Sequence, residues 1–313
     1  MIGCAEEFLA FQGHLWDVRS PQEYTQGHIP GAINLPLFSD RERVSVGTCY
    51  KRESKRAAIQ MGLDFVCSKI DGFIDQFSGD SARFYCFRGG MRSQSMMHLA
   101  TSSGTPATCL KGGYKAFRRL TRDLFARKWK LKILGGFTGV GKTKTLRVLK
   151  ERGEQVLDLE RLACHLGSAF GNLRRKTQPT SEHFENKVAM ELLKFDEAKP
   201  VWVEDESRSI GACSIPGPFF ETMRASPVFV IKKSLDERVD YLLELYGDAP
   251  KGALIDAVQR IEKRLGSERA RAAILSIEDG DLKSAIKYCL AYYDKTYAYG
   301  LSLRSQFASK FCD

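Results

Sequence analysis

Apolar residues along the chain fall into short runs set between longer polar stretches with helical spacing. HLWDVR, GAINLPL, ARFYCF and TCLKGG read as strands, with helical material from Glu53 to Met61 and again from about Arg92. Strand-length apolar pieces alternating with helical ones predict an α/β domain with a parallel sheet. A basic segment, KAFRRLTRDLFARKWK, predicts a helix leading out of that domain. LKILGGF then opens a second α/β unit, continued by the strand candidates QVLDL, PVWVED and PVFVIKK, and from Leu235 the pattern is helical to the end. The boundary falls near Ala126, giving domains 1–126 and 127–313.

The chain has 313 residues and a mass of 35.2 kDa, enough for two domains that each bury a core. No apolar run reaches the length needed to cross a bilayer, so no membrane association is expected. The opening MIGCAEEFLAFQGHLWDVR has no basic stretch ahead of an apolar core, which predicts a cytoplasmic protein. Nine cysteines, without a C-x-x-C pair or a zinc-type Cys/His spacing, predict reduced thiols and no tightly bound cofactor. The net charge of +10 points to a polyanionic partner, and leaves RNA, DNA and phosphorylated small molecules open.

Gly136-Phe137-Thr138-Gly139-Val140-Gly141-Lys142-Thr143 satisfies G-x-x-x-x-G-K-[ST] between a strand and the helical KTLRVLKERG. This is the setting a P-loop needs. Glycines let backbone N–H groups face phosphate oxygens, the helix N-terminus adds positive potential, and Lys142 bridges phosphates. Gly136, Thr138, Gly139, Val140, Gly141, Lys142 and Thr143 are therefore candidate phosphate-binding residues. Asp205 ends the strand VWVED, where P-loop enzymes place a metal-binding carboxylate, so Thr143 and Asp205 are the candidate Mg²⁺ ligands. Glu204 competes for that role, and Asp158 is a further acidic candidate. His165, Gly167 and Ser168, with Glu182, Phe184, Glu185 and Asn186, are expected to line the same site.

Cys86 ends the strand ARFYC ahead of a helix, beside Arg88, the Gly89-Gly90 pair and Arg92. Helix dipole, loop amides and both arginines favour a thiolate there, which makes Cys86, Arg88 and Arg92 the candidate catalytic residues. A C-x5-R phosphatase and a rhodanese-like sulfurtransferase both use this strand-Cys-loop-helix. Arg92 stands six positions after Cys86, the C-x5-R length. That spacing predicts a loop able to hold a tetrahedral oxyanion beside the sulfur.

Asp17-Val18-Arg19-Ser20-Pro21, Glu23-Tyr24 and Gly27-His28-Ile29-Pro30-Gly31-Ala32 resemble the D-V-R…E-[FY]…G-H-I-x-G-A signature of rhodanese domains. Asp17 and His28 read as ordering groups rather than catalytic ones. With GHIPGAINLPLF, VGTCYKR, YCFRGGMRS, GGFTGVGKT, DLERLACHLGSAFG, QPTSEHFEN and EDESRSIG, the chain resembles the tRNA 2-selenouridine synthases from about Trp16 to Gly211. The resemblance implies a rhodanese-like parallel-sheet domain followed by a P-loop NTPase-like α/β domain with a helical C-terminal region. It implies replacement of sulfur by selenium in wobble 2-thiouridine of tRNA with selenophosphate, and a selenophosphate supply enzyme as a partner. It further implies an S-geranyl-2-thiouridine intermediate made from geranyl diphosphate.

Cys49, in one of the resembling segments, is a candidate second thiol. Lys51, Arg52, Lys55 and Arg56 are candidate tRNA contacts, as are Arg174, Arg175, Lys176, Arg118, Arg119 and Arg122, although solvated helix faces account for them equally. The tyrosines of YCLAYYDKTYAYG are candidates for base stacking, for enclosing an isoprenoid chain, or for a helical core stripe. The rival readings are a kinase or NTPase with a regulatory rhodanese module, a plain sulfurtransferase, and a non-catalytic RNA-binding protein.

Overall fold

A computed structural model describes residues 4–77, 81–168, 170–171, 173 and 177–304. The chain divides into two units, Met1–Leu124 and Phe125–Asp313. In the first, the elements run α1 (Ala5–Ala10), β1 (His14–Asp17), α2 (Pro21–Gln26), β2 (Ile33–Asn34), α3 (Asp40–Arg52), α4 (Lys55–Cys67) and α5 (Ile70–Ile74). They continue as β3 (Ala82–Tyr85), α6 (Met91–Ser102) and β4 (Ala107–Cys109), and α7 (Gly113–Ala126) carries the chain onward. The strands lie in the order β2-β1-β3-β4, every pairing parallel. Trp16, Phe84, Phe73, Phe77, Met96 and Ala100 pack together over this sheet.

α4 covers the helical stretch expected from Glu53 to Met61, and α3 and α5 flank it where the pattern predicted no helix. Ser39 caps α3 and closes a capping box with Glu42, and Ser54 then caps α4. Cys49 is the only buried residue of α3, so an apolar stripe scarcely exists there and its start is set by the cap.

A buried polar cluster ties β1 to the turn after α2. Arg19 donates to Asp17 from Nε at 2.9 Å and from Nη2 at 2.5 Å, and Nη2 also donates to the Gly27 carbonyl at 2.7 Å. The Tyr85 hydroxyl donates to Asp17 Oδ2 at 2.8 Å and accepts from the Ile29 amide at 3.1 Å. The guanidinium lies 3.9 Å over the Tyr114 ring. Asp17 thus acts in folding, and His28 likewise stacks on Tyr24 with ring centroids 3.8 Å apart.

The second unit runs β5 (Leu131–Gly135), α8 (Lys142–Glu151), β6 (Gln155–Leu157), α9 (Leu159–Ala163), α10 (Ser181–Leu192) and β7 (Val201–Glu204). The short antiparallel pair β8 (Ser209–Ile210) and β9 (Cys213–Ser214) follows, then α11 (Gly217–Ala225) and β10 (Val228–Val230). Its main sheet is parallel, in the order β10-β5-β7-β6. Helices α12 (Leu235–Tyr246), α13 (Lys251–Leu265), α14 (Ser267–Asp279) and α15 (Leu282–Ser302) complete it, with Val258, Ile261, Ala273 and Ile277 in their shared core. Both units have the expected α/β architecture, and the C-terminal part is helical as its pattern predicted.

Removing one partner of a buried ion pair strands the other charge in the interior. Arg19→Ala should therefore destabilise the first unit by about 3–5 kcal/mol, read by urea denaturation of the full chain. An unchanged midpoint would show that the pair does not hold β1 to the turn.

Candidate functional sites

Cys86 is the first residue beyond β3, and only 3 % of its surface is exposed. The chain then turns through Phe87, Arg88, Gly89 and Gly90 into α6, with Gly90 as the N-cap. Gly89 has φ +64°, and a Cβ there would lie 2.4 Å from the Leu110 carbonyl. Gly113 has φ +58°, and its Cβ would lie 2.2 Å from the Cys86 carbonyl. Only glycine allows both approaches. The first amides of α7 finish the cradle: Tyr114 N–H donates to the Cys86 carbonyl at 2.8 Å and Lys115 N–H to that of Phe87 at 3.0 Å. In a trans peptide the following N–H points opposite to the carbonyl, so the Phe87 and Arg88 amides point away from α7.

Arg92 is on the first turn of α6 and is engaged by Glu23 of α2, with Nη1 2.8 Å from Oε2. Burial pushes the Glu23 carboxyl up, but Arg92, the Ser20 amide and Arg43 outweigh it and hold the group below its ordinary value. Arg92 thus has a carboxylate partner rather than standing free beside the sulfur, which the spacing could not convey. Arg88 is exposed in the loop. Cys49 is buried on α3, its thiol pushed up by burial and then by Glu53. Cys109 on β4 is a further buried thiol, which Ser93 of α6 links to Cys86. Lys51, Arg52, Lys55, Arg56, Arg119 and Arg122 are exposed, whereas Arg174, Arg175 and Lys176 lie outside the described residues.

The second site follows β5. Gly136, Gly139 and Gly141 all have positive φ, and Gly141 is the N-cap of α8. Lys142 Nζ reaches back to the Gly136 carbonyl at 3.2 Å, and Thr143 Oγ1 donates to Glu160 Oε2 at 3.2 Å. The C-terminal helices brace this loop. Arg238 of α12 forms paired 2.7 Å bonds to Asp294 of α15 and a 3.2 Å bond to the Thr138 carbonyl. Tyr297 of α15 accepts from the Gly136 amide through its hydroxyl at 2.7 Å.

The acidic groups around Lys142 differ from the expected set. Asp205 is ion-paired with the buried Arg304, and Tyr297 also hydrogen-bonds it. Glu204 is 2 % exposed; one oxygen accepts from the Glu160 amide at 2.7 Å while the other has no hydrogen-bond partner. Burial first, then Asp158 and Glu160, raise it well above its ordinary value. Asp158 caps α9 through the Arg161 amide at 2.7 Å. Glu160 is raised by burial and by Asp158, with Lys142 opposing. Glu206 is pushed up to about 8 by burial and by Glu160, again against Lys142. Among the described residues no group of three or more His, Cys, Asp or Glu is arranged to hold a metal ion. The carboxylate hydrogen-bonded to Thr143 is that of Glu160, not Asp205, so the expected Mg²⁺ pair does not fit these side chains as placed.

Gly136, Thr138 to Thr143, Glu160, Asp205, Glu206, Tyr241 and Tyr297 line an open cavity of about 340 Å³. Gly167 and Ser168 join the lining as expected, but Phe184 and Asn186 are fully buried in α10. An apolar pocket lined by Leu254, Val258, Ile286 and Leu290 adjoins it through Thr138, Ser168, Leu242, Tyr246 and Tyr293. The tyrosine-rich stretch divides between roles: Tyr293 and Tyr297 face the cavity, Tyr292 packs on the helical core, and Tyr299 is 67 % exposed. Glu160, Glu206, Arg238 and Arg304 were not singled out from sequence, and Tyr297 was named only among the tyrosines of the C-terminal stretch. Only Glu160 and Glu206 fell within segments that carried the resemblance.

A carboxyl whose folded value is raised favours the folded state in its protonated form. For Glu206 that contribution is complete below the unfolded value near 4.3 and is lost as pH rises through about 8. The second unit should melt at a lower temperature at pH 8.5 than at pH 5.5, and Glu206→Gln should narrow that difference. An identical pH dependence in the variant would refute the assignment; thermal melts at the two pH values read it directly.

Comparison with known proteins agrees with this architecture. Residues 5–120 match the family described as rhodanese-like domain, and residues 129–310 match the tRNA 2-selenouridine synthase AAA domain. A tRNA 2-selenouridine synthase of Pseudomonas fluorescens (strain Pf-5) is 37 % identical, with 91 % of this chain and 88 % of that protein covered. One from Cupriavidus pinatubonensis is 36 % identical over the same shares, and one from Bdellovibrio bacteriovorus is 40 % identical over 82 % of this chain and 71 % of that one. With its P-loop domain matched almost end to end and its rhodanese domain in front, the chain belongs to the tRNA 2-selenouridine synthase family.

Proposed function

We propose that this protein replaces the sulfur of wobble 2-thiouridine in tRNA with selenium, using selenophosphate as donor and an S-geranyl intermediate. The observation that carries the reading is the pairing, in one chain, of a buried thiol in a glycine-built loop with a P-loop cavity that shares lining residues with an adjoining apolar pocket of about 60 Å³. Geranyl diphosphate has the matching chemistry: an anionic head for Lys142 and the loop amides, and a hydrocarbon tail for the pocket lined by Leu254, Val258 and Leu290. In the first step the thiouridine sulfur attacks the first carbon of the geranyl chain. The carbon–oxygen bond breaks and diphosphate departs into the P-loop, whose amides and Lys142 stabilise its charge.

The alkylated sulfur is then a better leaving group than the thiocarbonyl. The selenium of selenophosphate, held in the loop beside Cys86, attacks the same ring carbon, and geranyl thiol leaves with the sulfur and its electron pair. Water then attacks phosphorus, the P–Se bond breaks, phosphate departs and selenium stays on the ring. The Phe87 and Arg88 amides and the exposed Arg88 side chain are the groups this loop offers to that oxyanion. The exposed Lys51 and Arg52 at the end of α3 are suited to tRNA phosphates. Nucleotide hydrolysis is a poorer reading, because Asp205 is held by Arg304 and Glu204 is buried and engaged by the Glu160 amide.

Mass spectrometry of wobble nucleosides tests both steps, with geranyl diphosphate and selenophosphate supplied singly and together. Lys142→Ala should lower geranylation at least tenfold while leaving selenation of pre-geranylated tRNA intact. Cys86→Ala should accumulate the geranylated nucleoside and abolish 2-selenouridine. Unchanged selenation by Cys86→Ala would overturn the role given to the thiol, and ATP consumption without tRNA would favour the NTPase reading instead.

A further inference from the structure

We propose that Ser93 is a positioning residue for Cys86, turning its single hydroxyl proton toward the sulfur once that sulfur is ionised. Ser93 is fully buried in the first turn of α6. Its Oγ stands 3.3 Å from Cys86 Sγ and 3.2 Å from the Gly90 carbonyl. A hydroxyl has one proton to give, so these two acceptors compete for it. The Gly90 carbonyl already accepts from the Gln94 amide at 3.1 Å, and the Cys86 thiol reaches it only at 3.9 Å. Neutral sulfur is a weak acceptor, so before ionisation the Gly90 carbonyl holds the Ser93 proton.

Ionisation reverses the preference. Cys86 gives its proton to a solvent base at the loop mouth, where Phe87 and Arg88 are exposed. A hydrogen bond to an anionic acceptor is roughly twice as strong as one between neutral groups, so the Ser93 proton moves to the sulfur. Ser93 also bonds Cys109 on β4, whose own thiol is pushed up by burial and by Cys86. Among the described residues, the other ionisable groups on the elements that build the loop are Arg88 within it, Arg92 of α6 with Glu23 of α2, and Tyr114 and Lys115 at the start of α7. None of them is altered by changing Ser93.

The proposal rests on Cys86 being the reactive thiol of this domain. Iodoacetamide alkylation of the full-length protein, followed at the Cys86 peptide by mass spectrometry from pH 5 to 10, reads it without tRNA or selenium. Ser93→Ala should raise the midpoint of the pH–rate profile by about 1 unit, a roughly tenfold slower rate on its acid side. Ser93→Thr keeps the hydroxyl and should retain the wild-type midpoint. An unshifted midpoint in Ser93→Ala would overturn the proposal while leaving Cys86 as the reactive thiol. A wild-type Cys86 that resists alkylation throughout would overturn both.

Discussion

An interior strand of a parallel sheet has a neighbour on each side and no free edge. The chain leaving its C-terminal end must turn back over the sheet, and a covering helix begins there. β3 lies between β1 and β4, and β5 lies between β10 and β7. Cys86 and Gly136 are the residues that follow those two strands. Each site therefore inherits a rigid floor and a helix N-terminus from the topology alone. What differs is the brace around the turn: in the first unit the amides of α7 and a pair of glycines, in the second the hydroxyl of Tyr297 and the guanidinium of Arg238.

The features legible in the sequence were those with short spacing. A G-x-x-x-x-G-K-T run dictates local backbone, and so do the Gly89-Gly90 turn and the D-V-R motif, where Arg19 closes on a carboxylate two residues away. Partners from distant elements were not legible. Arg304 reaches Asp205 across 99 residues and Tyr297 reaches Gly136 across 161, separations that no periodicity encodes. Arg92 illustrates the limit. Its distance from Cys86 along the chain suggested an anion ligand, yet Glu23, 69 residues earlier, determines where its guanidinium points.

Carboxylates around a phosphate-binding lysine look self-defeating, since negative groups would repel the ligand. Their environment resolves the conflict. Burial raises Glu160, Glu204 and Glu206 above the ordinary carboxyl value, with Glu206 at about 8, which shifts the cluster toward its protonated, uncharged form. Asp205 differs in mechanism but not in result, because the Arg304 guanidinium balances it directly.

An anion arriving at Gly136 to Thr143 then meets the positive end of α8 and Lys142 with little opposing charge. On the proposed reading of this loop, Glu206 ionises as pH rises through about 8, and its charge then opposes the attraction of the loop for an anion. The acids thus act as a pH-dependent counterweight to the lysine. A P-loop flanked only by neutral side chains would carry no such dependence, because its charge would not change between the pH values at which these carboxyls titrate.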